Sequence, residues 1–92
     1  MDQKPSIGRT VHFVLPEQAG IKSGAVGAHR PATIVRVWAD EGHYLDEPGV
    51  VQLQVLTDGS NDFEAGTQLY WATSVHYDPT GKPGTWHWPE KV

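Results

Sequence analysis

The chain has 92 residues, enough for one small domain with a thin core. It has no cysteine, which excludes disulfides, Cys-based metal sites and a thiol nucleophile. Its formal charge of −4, from 7 basic and 11 acidic residues, argues against a domain that coats nucleic acid.

The start, MDQKPSIGRT, is polar, with no signal-peptide core, and no apolar run is long enough to span a bilayer. Residues 1–8 read as a flexible N-terminal arm and 9–92 as a single small domain. The first strand is RTVHFVL, 9–15, in which Val11, Phe13 and Leu15 share a face; Pro16 ends it. Residues 16–30 hold glycines and small residues without a period and read as a long loop. The second strand, 32–39, has apolar groups on both faces and suits a central position. An acidic, turn-rich loop follows at 40–49. The third strand, VVQLQVLT at 50–57, alternates Val51, Leu53 and Val55 with Gln52 and Gln54, the pattern of a half-buried strand. The turn formers DGSND at 58–62 follow. LYWATSVHY at 69–77 is the fourth strand, DPTGKPG a turn, and TWHW at 85–88 the fifth, closed by Pro89. With no sustained helical period, the expected fold is all-β: a small five-stranded antiparallel SH3-like barrel with long loops.

Chemistry-bearing motifs are sparse. There is no G-x-S-x-G and no P-loop. The five histidines are His12, His29, His43, His76 and His87. The segments His76-Tyr-Asp78 and His87-Trp-Pro-Glu90 supply suitable atoms for a metal, but their spacing matches no helical zinc motif. They read as surface or hydrogen-bonded strand histidines, and no metal or cofactor is expected. Arg30, followed by a proline at a strand start, can clamp a phosphate or carboxylate, or pair with Asp40 or Glu41. Asp58, Asn61 and Asp62 lie in one polar loop that can cap its own turn or read a ligand's polar edges. Trp86 and Trp88 either fill the core or stack on a ligand.

The stretch GRTVHFV…RPATIV resembles the entry of MazF/PemK-like toxin endoribonucleases, whose arginine at the position of Arg30 assists catalysis. That resemblance covers about the first third of the chain. From Gly8 to Glu90, the segments GRTVHFVLP, HRPATIVRVW, VQLQVLTDGSND and WATSVHYD…KPGTWHWPE resemble a family of small phage and prophage proteins. This resemblance implies the cytoplasm of an infected bacterium as the setting. The expected function is a binding protein without enzymatic activity that sequesters a small host ligand, such as a nucleotide immune signal, as a homo-oligomer. A virion structural or assembly protein and a MazF-like ribonuclease are the alternatives. In the sequestering reading, Arg30 or Arg36 meets phosphate, and Tyr77, Trp86 or Trp88 stacks. Asp58, Asn61 and Asp62 read polar edges, and His76 and His87 donate hydrogen bonds. Neither a membrane nor nucleic acid is an expected partner.

Overall fold

Strand alternation divides each apolar segment into an inward and an outward set, and a computed structural model describing residues 3–90 shows where each set goes. Five strands form: β1 (Thr10–Val14), β2 (His29–Val37), β3 (Val51–Leu56), β4 (Leu69–Val75) and β5 (Trp86–His87). All pairings between them are antiparallel, in the order β4-β3-β2-β1-β5. The first four strands are a meander, and the fifth returns to lie beside the first. The fold class is the expected one, with the sheet open rather than closed into a barrel. Among the described residues there is no α-helix, only single 3₁₀ turns at Ser23–Ala25, Trp38–Glu41 and Gly59–Asn61. None is long and apolar enough to cross a membrane.

The inner face carries the core: Val11 and Phe13 of β1, Ala32, Ile34 and Val37 of β2, Val51, Leu53 and Val55 of β3, Ala72 and Val75 of β4, and Trp86 of β5. Trp86 is the largest fully buried side chain, at 0% exposure. Its indole N–H donates to the Gly49 carbonyl (2.6 Å), so the ring is buried without an orphaned donor. Tyr77 and Trp88 pack on it, with ring centroids 4.8 and 5.1 Å away.

Two bulges explain where simple alternation fails. In β2 the register shifts between Ile34 and Arg36, so Val35 and Arg36 are exposed while Ile34 and Val37 are both buried. Apolar residues on both sides of this strand therefore record a bulge as well as a central position. In β4 the pairing slips opposite Val51–Leu53, and Ser74 adopts φ 48°. This returns Val75 to the core, out of step with Ala72. β2 also begins earlier than expected, at His29, and contains Pro31. The register with β3 starts one residue later, at Ala32, so the missing N–H breaks no ladder there.

The long 16–28 loop closes over one end of the inner face. Ile21 and Ala25 are buried, Ile21 bridges Phe63, and the Lys22 N–H donates to the Asp62 carbonyl. Near the N-terminus Pro5 is buried, and the Gly8 N–H donates to the Ile34 carbonyl (2.8 Å).

Candidate metal centre

The register of three strands decides what lies on the outer face. His12 of β1 stands opposite His87 of β5, and Val14 of β1 stands opposite His29 of β2. Phe13 and Trp86 point inward from the same two strands, so His12 and His87 point outward. The three imidazoles thus meet on one patch, with rings edge-on to one another and centroids 4.8–6.4 Å apart. Pro89 ends the chain's extended path, and Glu90 folds back over the patch. Its Oε1 accepts from His87 Nε2 (2.6 Å) and His29 Nδ1 (2.8 Å), and its Oε2 from His12 Nδ1 (2.7 Å). One ligand atom from each of the four residues lies within 4.8 Å of all the others.

This is a donor set of three imidazoles and one carboxylate, the N/O combination that zinc and other first-row divalent ions take. Metal–nitrogen bonds of about 2.0–2.1 Å require ligand atoms roughly 3.3 Å apart in a tetrahedron. A span of up to 4.8 Å needs only small side-chain adjustments to reach that geometry. The Glu90 carboxyl is held down at about 2 by its own backbone N–H and by the ring N–H of His87, with His12 and His29 adding to the effect. It therefore stays an anion, the form that ligates.

The cluster is asymmetric. His87 is 5% exposed, and its second nitrogen, Nδ1, is buried with no hydrogen-bond partner among the described residues. Leaving such a group unpaired costs about 1–3 kcal/mol. His12 and Glu90 face solvent, their side chains 29% and 50% exposed.

The residues singled out in the sequence are dispersed. Arg30 and Asp62 do meet, but each satisfies the other. The guanidinium donates from Nε and one terminal nitrogen to the two carboxylate oxygens, at 2.6 and 2.7 Å. Asp62 is fully buried and also accepts from the Asp58 N–H. The Arg30 hydrogen bond holds the Asp62 carboxyl below the usual carboxylate range, and Asp62 in turn raises the guanidinium. This overturns the expected pairing of Arg30 with Asp40 or Glu41. Asp58 and Asn61 line an open depression beside the 58–62 loop and bond to each other. Arg36 lies over Trp38 and pairs with Glu41. His76 pairs with Glu47, and Tyr77 lies against Trp86. Trp86 is in the core, and Trp88 lies half-buried under the Arg9 guanidinium. Of the whole set, only His87 belongs to the histidine cluster.

Glu90 was named with His87 in a segment holding suitable atoms for a metal, without a site being expected there, and His12 and His29 were not placed with them. Spacing in the sequence could not reveal them, because they meet through the pairing of β5 with β1. The available signal was subtler: His12 and His87 each alternate with large apolar residues on a strand. Comparison with family models, with characterised proteins and with solved structures finds no match to this chain.

Proposed function

We propose that this domain binds one divalent transition-metal ion through His12, His29, His87 and Glu90. The observation that carries the reading is the convergence of three imidazole nitrogens on a single carboxylate at one end of the sheet. Such an ion would tie β5 and the segment after it to β1 and β2. β5 holds only two residues and pairs with β1 at two positions, yet it brings Trp86 to the core. In a small domain without disulfides, a metal crosslink at that point adds directly to folding free energy.

The test is calorimetric titration of chelator-treated protein with Zn²⁺, together with His12→Ala, His29→Ala and His87→Ala. One ion per chain, lost in each variant, is the expected result. Binding unchanged across all three variants, or no saturable binding by the wild type, would refute the proposal.

Sequestration of a nucleotide-like ligand is the second reading. Asp58 and Asn61 favour it, since both line an open depression with polar walls. It has less support, because Arg30, the natural phosphate clamp, already holds Asp62 with two hydrogen bonds.

A further inference from the structure

The three histidines and Glu90 are held in different ways. His12, His29 and His87 stand on paired strands, with backbones fixed by the ladder β2-β1-β5. Glu90 follows Pro89, outside any strand, and its side chain is half exposed. Its carboxylate accepts a hydrogen bond from each imidazole, so it occupies the space on which the three rings converge. An ion held there would be bound by the three ring nitrogens, with the Glu90 carboxylate moved outward to serve as the fourth ligand. The buried His87 closes the site from beneath, and the exposed side is the one Glu90 covers.

Charge points the same way. Three neutral imidazoles leave the two positive charges of an ion uncompensated, and Glu90 cancels only one. Four protein ligands in a tetrahedron make a closed site, whereas three fixed ligands with a movable fourth leave a position for an exogenous group.

We infer that Glu90 is an exchangeable ligand, and that the metal held by the three histidines takes a small oxyanion, a carboxylate or phosphate group, at the position Glu90 guards. This rests on the metal-binding reading above. The donor atoms such an anion offers are those Glu90 itself supplies, so the two compete for one place. The anion can be free in solution or the terminal group of a larger molecule. The chemistry at the metal is the same, and the two sources differ in whether the rest of the molecule adds affinity.

The experiment uses the Co²⁺-loaded full chain, because the visible d–d spectrum of Co²⁺ reports coordination number and ligand identity. Wild type and Glu90→Gln are titrated with acetate, inorganic phosphate and a phosphomonoester, adenosine 5′-monophosphate. The expected result is a saturable spectral change in the wild type and at least tenfold tighter anion binding in Glu90→Gln, each protein being titrated at its own saturating Co²⁺ concentration. Equal affinity for phosphate and the phosphomonoester identifies a free anion as sufficient; tighter binding of the ester identifies a larger molecule. A Co²⁺ spectrum unmoved by any of the three anions in both proteins means a closed site. That outcome overturns this inference and leaves the metal reading standing. No Co²⁺ spectrum in the wild type overturns the metal reading itself. Glu90→Ala repeats the measurement without the amide oxygen of glutamine, and retention there of the wild-type anion affinity would also overturn the inference.

Discussion

His29 and Arg30 are neighbours on β2, and strand alternation sends them to opposite faces of the sheet. Each meets a carboxylate from far along the chain, His29 meeting Glu90 and Arg30 meeting Asp62. The two carboxylates differ in every other respect. Asp62 is fully buried, takes both hydrogen bonds of one guanidinium and has a further bond to the Asp58 backbone. It latches the 58–62 loop under the sheet. Glu90 is half exposed and shared among three imidazoles, none of which needs it in order to stay on its strand. A buried pair with matched geometry has no valence left for a ligand. An exposed anion among several convergent nitrogens is poised to give way to one. Arg30, one of the candidate ligand-binding residues in the sequence, is thus engaged by Asp62, while His29 beside it belongs to the candidate site.

The sharpest way to break the comparison is to remove each carboxylate in turn. Asp62→Ala leaves the partly buried Arg30 guanidinium unpaired and is expected to cost about 3 kcal/mol or more, read by denaturant unfolding. Glu90→Ala in metal-free protein is expected to leave the unfolding midpoint nearly unchanged, since exposed pairs contribute little. Next in size is stabilisation by metal. At a free Zn²⁺ concentration a hundredfold above its dissociation constant, linkage gives about 2.7 kcal/mol. For a domain of this size that raises Tm by roughly 10 °C or more. The shift should persist in Asp62→Asn if that variant remains folded, and vanish in His87→Ala.

Acid sensitivity is a smaller effect and separates the two sites again. Both carboxyls are lowered in the folded state, so each contributes stability above its ordinary range, little for the exposed Glu90 and more for the buried Asp62. That contribution is lost as pH falls, through the interval from 4.5 to about 2 for Glu90 and below 3.8 for Asp62. Unfolding midpoints measured down through this window should fall less steeply in Asp62→Asn than in wild type. Metal-loaded protein should also release its ion on acidification, because protons compete for the imidazoles.

The five strands could be read in the sequence because Val51, Leu53 and Val55, or Val11 and Phe13, alternate cleanly with polar residues. Bulges at Ile34–Arg36 and at Ser74 could not, since a one-residue slip leaves composition untouched while exchanging the faces. The site was harder still. Its four residues come from three strands and the tail after the last one, and local periodicity carries no information about which strand will pair with which. Trp86 was legible only as a choice between core and ligand contact. What decides it is the Gly49 carbonyl, placed by a loop that the sequence identifies merely as acidic and turn-rich.

The return of β5 to β1 also has a kinetic consequence. The hairpins β1-β2, β2-β3 and β3-β4 join segments adjacent in sequence, whereas His12↔His87 closes a loop of nearly the whole domain. That closure spans the longest stretch of chain, and its two paired positions are extended by backbone hydrogen bonds between Val14 and Gly84–Thr85. The meander is therefore expected to form before the indole of Trp86 enters the core. Truncating β5 contacts should hasten unfolding and leave the refolding rate unchanged, a pattern that stopped-flow tryptophan fluorescence can follow.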